Sequence, residues 1–163
     1  MKPFITGMAM FLLSMVFTVY QHDYNLHQEQ IYNLKFAAEE SAAAAAQYLF
    51  DDGYSEGMLV FNQLEGEKAA RYILQEQLKL DDNLVPRENS YWQEQIQYTI
   101  EFLDDSNTVF PYLYEHSTAS LVLTLTEPTV IIAVNTGKPR YRIFSSLYLP
   151  SSIRVAAYEL KER

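Results

Sequence analysis

The chain opens with an uncharged, mostly apolar run that extends from Pro3 to Tyr20. Lys2 precedes the run, and Asp23 is the first acidic residue after it. About 18 apolar residues, rising ~1.5 Å each, are enough for a helix to cross the hydrocarbon core of a bilayer. The run therefore predicts a membrane anchor over residues 1–22. The anchoring side chains are Phe4, Ile5, Met8, Phe11, Leu12, Leu13, Val16, Phe17 and Tyr20.

The helical pattern continues beyond the apolar run. No Gly or Pro occurs between Gln21 and Phe50, and strong helix formers dominate. Apolar or large residues recur at steps of three or four, which is typical of one packed helix face. We expect one continuous helix from about Phe4 to Phe50, with Gly53 as a left-handed cap. Its packing positions are Tyr24, His27, Ile31, Leu34, Ala38, Ala42, Ala45 and Leu49.

A second helix and several strands are predicted from the remaining pattern. Residues 65–80 have a helical period, with Ala69, Ile73 and either Leu74 or Gln77 on the packed face and Leu80 near the end. The period then changes to two, which indicates half-buried strands. Strands are expected at 96–102, 121–125, 130–134, near Tyr141 and Ile143, and at 153–157, with a hairpin turn at 135–138.

This order of elements defines the expected fold class. Helices come first and antiparallel strands follow, which favours an α+β domain over residues 23–163. In that arrangement the long helix covers one face of an antiparallel sheet of about four strands.

Charge sets the orientation and excludes one class of partner. The formal net charge is -9, and all 21 acidic residues lie at or after Asp23. An acidic surface repels phosphates, so nucleic-acid binding is not expected. The positive N-terminus and Lys2 favour a cytoplasmic N-terminus, with the acidic domain on the outer side and membrane lipid as a partner.

Two other interpretations of the apolar run stay open. A cleaved secretory signal also has a short basic start and an apolar run. The residues around Val19 and Tyr20 are large, however, whereas signal cleavage sites have small residues. The other interpretation is a core helix buried inside the domain.

The sequence contains no recognisable catalytic or cofactor motif, so an enzyme, a cofactor and a metal are not expected. Cysteine is absent, and the three histidines, His22, His27 and His116, lack metal-ligand spacing. Asp104 and Asp105 begin an acidic turn that has the oxygen ligands calcium prefers, although solvated turn residues explain the pattern equally well.

A basic cluster, Lys138, Arg140 and Arg142, is interleaved with Tyr141. On a strand, the two arginines face one way and Tyr141 the other. One interpretation is a solvated outer face that balances nearby acids. The other is an intersubunit contact with the acidic surface of a neighbouring copy.

A membrane-spanning N-terminal helix that runs unbroken into a domain closed by antiparallel strands resembles type IV pilins, pseudopilins and the pilin-like proteins of tight-adherence pili. The resemblance implies a structural, non-enzymatic component of a pilus-like or secretion-like envelope assembly, which self-associates or joins related subunits through bundled helices. Pilin leaders are cut after a small residue such as Gly7, and a Glu follows five positions later. Leu12 occupies that position here, which favours an uncleaved pseudopilin-like component.

The alternative function is a monomeric, membrane-anchored binding module on the outer side of the membrane. Such a module would capture a ligand or an envelope protein through its sheet.

Overall fold

The structure is a computed structural model that describes residues 2–51, 57–88, 90–116, 121–137 and 152–161. It confirms the α+β class, with a long N-terminal helix packed on antiparallel strands. The elements are α1 (Lys2–Ala45), α2 (Gln63–Leu78), β1 (Gln97–Leu103), β2 (Tyr112–His116), β3 (Leu121–Leu125), β4 (Thr129–Asn135) and β5 (Ile153–Glu159).

Helix α1 is a single element of 44 residues, which corresponds to a length of about 66 Å. It ends at Ala45 and not near Phe50, because the chain then turns and becomes extended. The Phe50 N–H donates to Val60 O at 2.9 Å, and the Asn62 N–H donates to Tyr48 O at 2.8 Å. The predicted last turn of the helix is thus replaced by an antiparallel pairing that no local pattern indicates. The predicted cap at Gly53 lies outside the described residues.

The strands form two sheets rather than one. The larger has the order β1-β4-β5, and β2 and β3 form a separate two-stranded sheet. Strands β1, β3, β4 and β5 match predicted segments, whereas β2 was not predicted. Only Tyr114 of β2 is buried, so its sequence lacks the alternation of apolar and polar residues that marks a strand.

Strand β4 pairs with β5 and not with the predicted return strand that would follow a hairpin turn at 135–138. Strand β5 pairs antiparallel with β4, from Thr129 opposite Glu159 to Asn135 opposite Ile153. The pairing continues one step further, because the Ser152 N–H donates to Gly137 O at 3.1 Å. The predicted return strand near Tyr141 and Ile143 lies outside the described residues. So does Lys138, the last residue of the predicted turn.

The two faces of the larger sheet have different coverings. Val130, Ile132 and Val134 of β4 pack with the buried residues of α1 and α2 in the main core. The opposite face contributes Ile131, which packs with Tyr114 and Leu125 of the smaller sheet. The molecule therefore has three layers: the helices, the three-stranded sheet and the two-stranded sheet.

Helix α2 packs closely against the end of α1. A Cβ atom at Gly66 would lie 2.9 Å from both Ala45 O and the Phe102 ring, so only glycine fits without a shift. Beyond Gly66, the buried face of α2 continues with Ala70 and Leu74. The predicted positions Ala69 and Ile73 lie one residue away and are only half-buried.

Candidate functional site

The apolar half of α1 is exposed around its full circumference. None of the predicted anchoring side chains contacts the folded domain enough to be buried. Among the described residues, one helix is long and apolar enough to cross a membrane, and its apolar window has a mean hydropathy of 1.7 with no residue buried. Apolar surface of this extent is not stable in water and marks contact with lipid or with other protein. The same length and composition also occur in secretory signals.

The second half of α1 is where the helix joins the domain. Leu34, Ala38, Ala42 and Ala45 are fully buried, and the neighbouring Ala37 is buried with them. Alanines on this face let the α1 backbone approach β4 and β5 closely. The other predicted packing positions are less enclosed: His27, Ile31 and Leu49 are half-buried, and Tyr24 is exposed.

The opposite side of the same half-helix carries exposed aromatic residues. Tyr32 and Phe36 are 62% and 57% exposed and are four residues apart, so they lie on one face. Lys35 and Glu39 form a solvent-exposed ion pair beside them, at 3.6 Å. We call Tyr32 and Phe36 the outward aromatic face. The sequence pattern predicted a single packed stripe on the helix and not this face, although the i, i+4 spacing of the two aromatics was a usable signal.

His27 connects α1 to the segment before β1. Its Nδ1 atom lies 3.0 Å from the Tyr91 hydroxyl, within hydrogen-bond distance. Burial lowers the pKa of the His27 imidazole, and the positive charge of Arg154 lowers this pKa further. The neutral imidazole is therefore favoured at neutral pH, and its geometry suits packing and hydrogen bonding rather than charge pairing.

The acidic turn after β1 has a structural role, because its carboxylates hold the segment around Leu59 and Phe61 by hydrogen bonds. Asp104 is fully buried. Its Oδ2 atom accepts the Phe61 N–H at 3.0 Å, and its Oδ1 atom accepts the Ser106 N–H at 3.0 Å and the Ser106 hydroxyl at 2.6 Å. Asp105 accepts the Leu59 N–H at 2.7 Å. Both carboxylates are thus used by main-chain donors, and the described part of the chain has no group of three His, Cys, Asp or Glu residues placed to hold a metal.

A second carboxylate clamp closes the far end of the larger sheet. Glu159 Oε1 accepts the Thr126 N–H at 2.8 Å, the Thr126 hydroxyl at 2.9 Å and the Glu127 N–H at 3.1 Å. The hydrogen bond from the Thr126 N–H is the main cause that lowers the pKa of Glu159. The clamp ties the β3–β4 connection to β5 and depends on the ionised carboxylate.

We expect the Glu159 clamp to make stability depend on pH. Its folded-state pKa lies below the usual value of 4.5, so the unfolded chain takes up the proton first as the pH falls. The stabilisation is complete above about pH 4.5 and is lost as the pH falls through the folded-state pKa. The free energy of unfolding of Glu159→Gln, measured by urea titration, should be below wild type at neutral pH and approach it in acid. A constant difference between the two proteins from neutral pH into acid would contradict this assignment.

The predicted basic cluster Lys138, Arg140 and Arg142 lies outside the described residues. Gly137 and Ser152, the described residues on either side of it, are paired by a hydrogen bond in which the Ser152 N–H donates to Gly137 O at 3.1 Å. The nearby Asn135 and Ile153 line an open cleft on the face of the sheet that points away from α1.

The architecture is compatible with a pilin-like arrangement, because a long apolar N-terminal helix continues into a domain and packs on antiparallel strands. Comparison of the chain with protein-family models, with curated proteins and with solved structures found no match.

Proposed function

We propose that the protein is a single-pass, membrane-anchored structural subunit of an envelope assembly. The apolar half of α1 holds the chain in the bilayer, with the N-terminus in the cytoplasm and the domain on the outer side. The second half of α1 carries the domain and joins it to other copies, or to related pilin-like subunits, through the outward aromatic face. The protein has no enzymatic role in this proposal.

The observation that carries the proposal is the continuity of α1. One helix leaves the apolar run and enters the domain, with Leu34 buried on one side and Phe36 exposed on the other. A helix that only anchored a monomeric domain would gain nothing from large aromatic residues on its water-facing side. Exposed aromatics on a helix that is already fixed in the membrane suit packing against a neighbouring helix.

The state of the N-terminus can be tested directly. N-terminal sequencing of protein recovered from membranes should return the uncleaved chain if the apolar run is a retained anchor. A start just after Gly7 would indicate pilin-type processing with the anchor still present. A start near Tyr20, on protein found free in solution, would identify a secretory signal and overturn the proposal.

Self-association can be tested by crosslinking, because the chain has no native cysteine. We expect Phe36→Cys to give dimers when membranes are treated with a short bis-maleimide. Val122→Cys is the matched control, since Val122 is 57% exposed on β3, in the two-stranded sheet that lies on the face of the larger sheet away from α1. Dimers in the Phe36→Cys protein alone support assembly through α1.

Equal crosslinking of the two variants, or none in either, would favour the second candidate function. That candidate is a monomeric, anchored binding module. It is supported by the polar cleft between the two sheets, which is open to solvent and lined by residues of β1, β2, β4 and β5.

A further inference from the structure

Contacts between described residues fix which end of the domain lies nearer the apolar half of α1. His27 contacts Tyr91, and the positive charge of Arg154, near the start of β5, acts on the same imidazole. The C-terminal end of β1 instead lies near Ala45, because Gly66 approaches both of them. The strands of the larger sheet therefore run alongside α1. We call the end that carries Tyr91 and Arg154 the proximal end of the domain.

The proximal end extends beyond Arg154 towards the apolar run. The Ser152 N–H donates to Gly137 O at 3.1 Å, and Ser152 precedes Arg154 by about 7 Å of extended chain. Glu94 lies directly against Gly137, since a Cβ atom on this glycine would overlap the Glu94 carboxylate. Residues 90–94 are therefore part of the proximal end.

The folded domain begins within a few ångströms of the apolar run. Tyr20 ends the run, and Asp23 follows on the same helix after a rise of about 4.5 Å. Asp23 is only 2% exposed, so the domain already surrounds it at that height. Tyr91 and Trp92 are among the described residues that line a cleft with Asp23. The domain thus joins the apolar half of α1 without an intervening linker.

This short distance matches the polar layer of a bilayer. The hydrocarbon core is about 30 Å thick and the whole bilayer about 40–45 Å, which leaves a headgroup layer of about 5–7 Å on each side. With the apolar run in the hydrocarbon, Asp23 lies within that layer.

The side chains of residues 90–94 also suit the headgroup layer. Gln93 and Glu94 are exposed and polar, which excludes the hydrocarbon core as their surroundings. Tyr91 is half-buried, and its hydroxyl lies 3.0 Å from His27 Nδ1. Tyrosine is enriched at the boundary between lipid and water, where its ring is apolar and its hydroxyl is polar.

We propose that the proximal end of the domain lies in the headgroup layer, where residues 90–94 contact zwitterionic phospholipid headgroups. Glu94 and the net charge of -9 disfavour an anionic lipid surface. The inference rests on the proposed function, because it takes the apolar half of α1 as a membrane anchor. It adds the lipid surface as a partner of the folded domain itself. The outward aromatic face, which begins at Tyr32 about 18 Å beyond Tyr20, stays clear of the lipid.

The test measures the depth of single labelled cysteines in vesicles of phosphatidylcholine. The chain has no native cysteine, so Gln93→Cys and Val109→Cys each provide one site for a fluorophore. Gln93 is an exposed residue of the proximal end, whereas Val109 is 87% exposed and follows the C-terminal end of β1. Lipid that carries a spin label on its headgroup should quench the Gln93→Cys label at least roughly threefold more than the Val109→Cys label.

A third variant, Phe11→Cys, reports on the anchor independently. Phe11 is an exposed residue in the middle of the apolar run, so lipid spin-labelled on its acyl chain should quench this label. If it does, while the Gln93→Cys and Val109→Cys labels are quenched equally by headgroup-labelled lipid, the inference is wrong and the anchor stands. Stronger quenching of the Gln93→Cys label by chain-labelled than by headgroup-labelled lipid also overturns the inference. An unquenched Phe11→Cys label would overturn the proposed anchor itself.

Discussion

Replacing Leu34 with Asp is expected to prevent the domain from folding. The Leu34 side chain is fully buried between α1 and the rest of the main core. Losing a buried leucine costs about 2–5 kcal/mol, and an unpaired carboxylate in the same place adds a further penalty of several kcal/mol. The sum is comparable with the whole stability of a typical domain, about 5–15 kcal/mol. Circular dichroism and urea unfolding of the detergent-solubilised chain measure the effect.

Phe36→Asp is the matched control for this experiment. It places the same charge on the same helix, two residues away, but on the outward aromatic face, where Phe36 is 57% exposed. We expect its free energy of unfolding to stay within about 0.5 kcal/mol of wild type. Under the proposed function this variant folds but loses assembly. A folded Leu34→Asp protein with a wild-type unfolding midpoint would show that the described packing of α1 is wrong.

Asp104→Ala should produce the second largest loss of stability. The substitution leaves the Phe61 N–H, the Ser106 N–H and the Ser106 hydroxyl without their acceptor. The Phe61 N–H is buried, and a buried donor that loses its partner costs about 1–3 kcal/mol, with bonds to a charged acceptor at the upper end. The Ser106 donors are exposed and can bond water instead. We therefore expect a loss of about 2–3 kcal/mol, measured by urea unfolding. Detachment of residues 58–61 from the end of β1 should accompany it, seen as faster amide exchange at Phe61.

Asp105→Ala is the comparison for Asp104. Asp105 is exposed and accepts one main-chain N–H, so its loss should be the smaller. Added calcium should leave the unfolding midpoint of the wild-type protein unchanged if the turn is purely structural. A calcium-dependent rise that Asp104→Ala abolishes would instead identify a metal site in this turn.

Local sequence patterns were sufficient to predict those elements whose structure depends on residues close together in the chain. The three- and four-residue steps through Leu34, Ala38 and Ala45 correspond to the buried side of α1, and the alternation after Ile96 corresponds to β1. The end of α1 could not be read in this way. It depends on the pairing of Tyr48 and Phe50 with Val60 and Asn62, and only the tertiary structure brings those residues together.

The candidate functional surfaces also divide into those that the local sequence indicates and those that it does not. That the first half of α1 is long and apolar enough to cross a membrane follows from composition alone. The outward aromatic face requires knowing which side of α1 the domain occupies, which Tyr32 and Phe36 do not reveal by themselves. The cleft between the sheets combines described residues of four strands in two sheets, with Glu101 and Glu115 on different sheets. No sequence spacing could have brought those carboxylates together.

The unbroken course of α1 also has a mechanical consequence. No glycine or proline follows Gly7 within the helix, so it has no built-in hinge between bilayer and domain. Under the proposed function, tilting of the apolar half of α1 in the membrane is therefore transmitted rigidly to the domain. At a lean of about 20°, typical of spanning helices, the far end of α1 swings sideways by roughly 13 Å relative to the point where it leaves the lipid. In the proposed assembly, lipid thickness and lateral forces within the membrane thereby set the angle at which the domain meets its neighbours.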